Sequence, residues 1–200
     1  MRPVTALLDA NVLFSGHLRN LLLQLASNDV FIVRWSLRIE DEWLRNMPPQ
    51  TRERIISRTI PIIRELFSNA HVNDFDPERA IGWTNPKDRH VASAAAAVAP
   101  SVLVTLNLKD FDVAALESVG VRVRSPDEFL TEIFESGPAI VDAATQEAAA
   151  SLTRSFPTWE EYLTDLAGRH GLKNFVERLR SWKSKGIEQL PEPGIRDVER

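Results

Sequence analysis

An α/β fold on a parallel sheet, followed by a small helical appendage, is predicted by three features of this 200-residue sequence. Short apolar, β-favouring runs alternate with amphipathic helical segments through residues 1–135, the pattern of a parallel sheet. Each run stops at a polar turn, as strands buried on both faces do. Beyond Ser136-Gly137-Pro138, which breaks both helix and strand, only helix-like segments follow. The expected division is therefore 1–135 for the core and 136–200 for the helical region.

Val4 to Leu8 is the first strand and ends at Asp9. His17 to Ala26 places Leu18, Leu21, Leu22 and Leu25 at helical spacing, and Phe31-Ile32-Val33 is the next strand. Ser36 is a natural N-cap for a helix running to Met47, where Pro48-Pro49 stops it. A further helix is expected over Thr51 to Asn69, bent or split by Pro61. The helix Asp88 to Ala99 precedes the buried strand Ser101 to Leu106, and Val121 to Val123 forms a last, shorter strand. Pro126 to Phe134 is again helical. In the appendage, Val141 to Thr153, Trp159 to Gly168 and Lys173 to Ser184 are helix-like, with Trp159, Tyr162, Phe175 and Trp182 spaced for a small core. The last ten residues, PEPGIRDVER, read as a polar, frayed end.

Composition narrows the function classes. With 24 basic and 28 acidic residues the formal net charge is −4, and 44% apolar residues suffice for a real core. The absence of cysteine excludes disulfides, thiolate nucleophiles and Cys-based zinc sites, and it suits a reducing cytoplasmic setting. Asp9 interrupts what would be a signal peptide's apolar stretch, and no run approaches the roughly 20 residues that cross a bilayer. Neither secretion nor membrane spanning is expected.

The chemistry lies in the carboxylates. Asp9 and Asn11 follow the first strand, and Asn107 and Asp110 follow SVLVTL, both at the carboxyl edge where open parallel sheets place their ligand crevice. Asp88 opens the alanine-rich helix. Each has a plain structural role available, as a turn former or a favourable acid at a helix start. Together they imply more. If the first strand and SVLVTL are neighbours, Asp9 and Asp110 converge and Asp88 can join them. Carboxylates about 4 Å apart repel by roughly 4 kcal/mol per pair at an effective dielectric near 20, which calls for protons or a cation. Oxygen donors suit Mg²⁺ or Mn²⁺ better than zinc, and His17, His71, His90 and His170 show no zinc-ligand spacing.

Four segments, LLDANVL, WSLRIEDEW, NPKDRHVASAA and VTLNLKDF, give residues 3–130 a resemblance to the PIN-domain nucleases. Within that family the chain is most similar to the VapC-like ribonuclease toxins of toxin–antitoxin pairs, in a subgroup with an added helical C-terminal region. The resemblance implies a three-layer α/β/α core and a Mg²⁺- or Mn²⁺-dependent endoribonuclease. It implies a metal and catalytic set of Asp9, Glu42, Asp88 and Asp110, with Asn107 as a supporting polar ligand. Periodicity alone does not select Glu42, because Leu37, Ile39, Trp43, Leu44 and Met47 centre their apolar face near Glu40. The family pattern selects it, by its distance from Ser36 and the Trp43 that follows.

RNA is the implied substrate, transfer RNA being common among such toxins, and a small antitoxin and a second copy of the chain are the implied partners. Arg45, Arg52, Arg54, Arg58 and Arg64 cluster after Glu42 and are placed to contact phosphates or to form a solvated helical face. Arg52, Glu53, Ile55 and Ile56 suit an antitoxin groove equally well. Residues 1–135 carry 15 basic and 18 acidic groups, −3 in all, or +1 without the four site acids, so the negative total does not oppose RNA binding. The competing functions are a housekeeping RNA-processing nuclease and an inactive binding module. A haloacid-dehalogenase-type phosphatase is disfavoured because Asn11 stands where its second acid belongs.

Overall fold

The computed structural model describes residues 3–188, so the expectation for PEPGIRDVER lies outside the described residues. Four strands, β1 (Val4–Leu8), β2 (Phe31–Arg34), β3 (Ser101–Val104) and β4 (Val121–Arg124), form one all-parallel sheet in the order β2-β1-β3-β4. Ala6, Leu7 and Leu8 are all fully buried, as are Val102, Leu103 and Val104. Successive side chains on a strand point to opposite faces, so both faces of β1 and β3 are covered, as the α/β class requires.

The chain leaves β1 towards β2 on one side, then returns past β1 to build β3 and β4 on the other. The strand order thus reverses between β1 and β3, whose register pairs Leu8 with Val104. Ligand crevices in open parallel sheets open at the carboxyl ends of such a pair. Asp9 and Thr105 are the residues that come next.

The helices follow the local signals. Ser36 Oγ accepts from Ile39 N at 3.2 Å to start α3 (Leu37–Arg45), after α1 (Ala10–Phe14) and α2 (Gly16–Ser27). The helix expected over Thr51 to Asn69 is split instead into α4 (Pro49–Arg54), a π-helical turn (Ile55–Thr59) and α5 (Ile60–Leu66). Pro61 has no N–H for an α-helical bond and its ring would meet the carbonyl four residues back, so a widened turn precedes it. The helix expected from Asp88 begins as a 3₁₀ turn (Pro86–Asp88) and becomes α6 at Arg89–Ala97. β3 stops at Val104 rather than Leu106, because Leu106 N donates to Asn11 Oδ1 (3.1 Å) and Asn107 N to Thr105 Oγ1 (3.0 Å). A second 3₁₀ turn (Leu108–Asp110) and α7 (Val113–Ser118) lead to β4.

Four helices complete the described chain: α8 (Pro126–Ser136), α9 (Pro138–Ala150), α10 (Trp159–Arg169) and α11 (Lys173–Glu188). Ser125 with Glu128 and Thr158 with Glu161 form capping boxes that start α8 and α10. α9 lies along α2, where Gln24 and Asn28 both donate to Glu147 Oε2, at 2.8 and 2.9 Å. Tyr162 and Phe175 are fully buried core residues, and the Trp182 ring meets Phe134 edge-on at 6.3 Å.

Asp127 on α8 closes this arrangement. Its carboxylate accepts from Asn174 N (3.2 Å), Asn174 Nδ2 (2.7 Å) and Phe175 N (2.9 Å), so it caps the free N–H groups at the start of α11 from a neighbouring helix. Asp127→Ala should lower stability by about 1–2 kcal/mol, read as an earlier urea midpoint with an unchanged slope.

Candidate metal centre

The site starts from one buried acid at the end of β1. Asp9 is 5% exposed. Its Oδ1 accepts from Ala10 N (2.6 Å) and caps α1, while its Oδ2 accepts from Asn11 Nδ2 and Thr105 Oγ1, both at 2.7 Å. Burial pushes its pKa from 3.8 up to about 6, against the lowering effect of those hydrogen bonds, and the charges of Glu42 and Asp88 raise it further.

The other acids arrive on separate elements. Asn85 Oδ1 accepts from Lys87 N (3.3 Å), shaping the 3₁₀ turn that presents Asp88, and Asn85 N donates to the Asp110 carbonyl (2.9 Å), tying that turn to the one carrying Asp110. Asp88 Oδ2 is buried and has no hydrogen-bond partner. Lys87 Nζ stands between the two carboxylates, 3.8 Å from Asp88 Oδ2 and 3.6 Å from Asp110 Oδ2. Burial raises the Asp88 pKa, and Asp110 and Glu42 add to the rise while Lys87 opposes it. Glu42, on α3, lies with Oε2 3.3 Å from Nε2 of the buried His90 on α6. The hydrogen bond from His90 holds the Glu42 pKa below the ordinary glutamate value.

Glu40 and Glu42 have separate roles. Glu40 is 2% exposed and accepts from Trp35 Nε1 (3.2 Å), Arg64 Nη2 and His71 Nε2 (3.0 Å). It is a satisfied structural acid at the centre of the helix's inner face, where periodicity puts it, whereas Glu42 is the one that interacts with Asp9 and Asp88. Arg64 is thereby committed to Glu40. Arg45 is close enough to lower the Glu42 pKa, while Arg54 and Arg58 are exposed and Arg52 half-buried on α4 and the π turn. Asn107 is half-buried beside the centre, its backbone held by Thr105.

The donor chemistry fits a hard divalent cation. Glu42 interacts electrostatically with Asp9 and Asp88, and Asp110 with Asp88; a buried oxygen of Asp88 is left without a hydrogen bond, and the His90 imidazole is already bound to Glu42, although among the described residues the four acids do not bring their ligand atoms within 4.8 Å of one another. Such an oxygen-only set suits Mg²⁺ or Mn²⁺.

Residues 126–181 match the family model of the VapC50 C-terminal domain. The matched stretch begins at the first residue of α8 and ends within α11, so the likeness to the VapC family is carried by the C-terminal helices. No curated protein and no solved structure matches the chain.

Three partners in this centre were not singled out from sequence. Thr105 was visible only as the one polar residue inside the run Val102 to Leu106, Lys87 as a neighbour of Asp88, and His90 as one of four histidines without zinc-ligand spacing. The histidine spacing also needs correction: the fold brings His17 and His170 to one carboxylate, Asp165.

The raised Asp9 pKa has a definite consequence. A folded-state value above the unfolded one means the folded protein binds more protons between about pH 4 and 6, so stability falls as pH rises through that window. The shift from 3.8 to about 6 corresponds to about 3 kcal/mol against the fold at neutral pH. In chelator, Asp9→Asn should therefore gain stability over wild type at pH 7 and gain less at pH 5, and Mg²⁺ should recover more wild-type stability at pH 7. A gain in Asp9→Asn no larger at pH 7 than at pH 5 would contradict the burial argument.

Proposed function

We propose that this protein is a Mg²⁺- or Mn²⁺-dependent endoribonuclease, the VapC-like toxin of a type II toxin–antitoxin pair. The observation that carries the proposal is the electrostatic coupling of Glu42 with Asp9 and Asp88, and of Asp88 with Asp110, beside the strand-order reversal, with one buried Asp88 oxygen left unpartnered. The match of the C-terminal helices supports the same family.

Asp9, Asp88 and Asp110 would hold the ion, with Asn107 beside them. An ion there supplies Lewis acidity, acidifying a water and neutralising charge that develops on phosphate oxygens. The remaining work falls to the chain. Glu42 stays ionised under the hydrogen bond from His90, so its carboxylate can accept a proton from, and orient, an attacking water. Thr105 and Asn11 fix both the position and the hydrogen-bonding geometry of Asp9. Lys87, already against Asp88 and Asp110, adds positive charge where a phosphodiester would approach. Arg45, Arg52, Arg54 and Arg58 would hold the RNA backbone on the face carrying α3, α4 and the π turn, with transfer RNA as the expected substrate. A small antitoxin protein and a second copy of the chain are the proposed partners.

The test is cleavage of total RNA by purified, antitoxin-free protein with Mg²⁺ or Mn²⁺, against EDTA. Discrete fragments should appear with metal, vanish in EDTA and in Asp9→Asn and Asp88→Asn, and slow by about 10²–10⁴-fold in Glu42→Gln. Glu40→Gln should act differently, losing about 1–3 kcal/mol of stability while the folded fraction keeps cutting. Cleavage that persists in EDTA or in Asp88→Asn would refute the assignment.

A further inference from the structure

A second group of metal-ligating side chains meets away from the carboxylate centre, at the seam between the sheet core and the C-terminal helices. His17, in the first turn of α2, Asp165 on α10 and His170, which ends α10, present ligand atoms within 4.8 Å of one another. His17 Nδ1 is 2.9 Å and His170 Nε2 3.3 Å from the same oxygen, Asp165 Oδ2. The cluster is well shielded: the side chains of His170, Asp165 and His17 are 9%, 11% and 26% exposed, and the Phe156 ring stands edge-on to His17 at 4.8 Å. Gly171, at φ 70°, turns the chain out of α10 immediately after His170.

Hydrogen bonding accounts for only part of this arrangement. His17 satisfies Asp165 Oδ2, and Arg169 Nε lies 3.2 Å from the other oxygen. His170 Nε2 points at an oxygen that already has its donor, and it has no hydrogen-bond partner although its side chain is nine-tenths buried. The opposite nitrogen of that ring, Nδ1, is 3.3 Å from Ser15 Oγ. A serine accepting from Nδ1–H leaves the Nε2 lone pair aimed at Asp165, the arrangement by which an outer hydrogen bond orients a metal-binding imidazole.

We propose that His17, Asp165 and His170 bind Zn²⁺, fastening α10 to the start of α2. Two imidazoles and one carboxylate are a zinc donor set, unlike the oxygen-only carboxylate centre. Donors about 2.0–2.1 Å from a tetrahedral zinc lie roughly 3.3 Å apart, near the two separations to Asp165 Oδ2 given above. Asp165 also lines a surface depression together with Phe156 and Arg169. The ion replaces the close approach of two rings to one oxygen with three bonds to a common centre.

The experiment uses the full chain stripped of metal, titrated with Zn²⁺ against a chromophoric chelator and, separately, with Co²⁺ followed by visible absorption. The expected result is one zinc equivalent bound at least tenfold more weakly in His17→Gln and in His170→Gln, and unchanged in Asp88→Asn. Co²⁺ should give the intense bands of a four-coordinate site in wild type and in Asp88→Asn. Zn²⁺ should also raise the melting temperature of Asp88→Asn but not of the double variant His17→Gln/Asp88→Asn. Wild type that takes up no zinc, or a tight site lost in Asp88→Asn and kept in His17→Gln, overturns the proposal. Should His170→Gln fail to fold, the wild-type, His17→Gln and Asp88→Asn titrations decide it.

Discussion

Burying one carboxylate at the end of a central strand is the constraint on which the rest of the site depends. Asp9 is dehydrated by the sheet that carries it, yet it is held in register by three donors: Ala10 N, Asn11 Nδ2 and Thr105 Oγ1. Those bonds join the ends of β1 and β3 where the strand order reverses, so one residue both costs stability and fixes the crevice. Glu42 and Asp88 raise that cost. A proton or a nearby positive charge offsets that cost, and Lys87 faces Asp88 and Asp110 rather than Asp9.

The same economy explains why two glutamates two residues apart have opposite fates. On α3, Glu40 points into the apolar face and is tolerated there because Trp35, His71 and Arg64 supply all its donors. Glu42 is turned about 200° further round the helix, towards α6, and meets only His90. A carboxylate surrounded by fixed donors has no capacity left for a water or an ion. One that is half-exposed with a single hydrogen-bonding partner keeps that capacity, and this separates the saturated Glu40 from Glu42.

Much of the fold was legible because it is written in local periods. The four strands are apolar runs ended by polar turns, and Ser36, Pro48-Pro49 and Ser136-Gly137-Pro138 punctuate the helices close to where the structure does. Boundaries moved where side chains competed with backbone. Asn11 and Thr105 capture the N–H groups that would have lengthened β3, and Pro61 forces a π turn. At the site, the acids could be singled out because carboxylates at strand ends are conspicuous. Their supports could not, since the bond from Thr105 to Asp9 spans 96 positions and no period connects them. The His17–Asp165–His170 group is the extreme case: His17 lies 148 residues from Asp165, and no period connects it with the Asp165–His170 pair at the other end of the chain.

The C-terminal helices are therefore more than an appendage in the physical sense. α8 packs against β4 and also supplies, through Asp127, the cap of α11, so it belongs to both the core and the helical region. The family match likewise begins at Pro126, ten residues before the Ser136-Gly137-Pro138 break. α9 and α10 in turn press on α2, through Glu147 and Asp165. Only the short α1, capped by Asp9, separates α2 from the carboxylate centre. The contacts of the C-terminal helices and the end of β1 thus meet on one short stretch of backbone, Asp9 to His17.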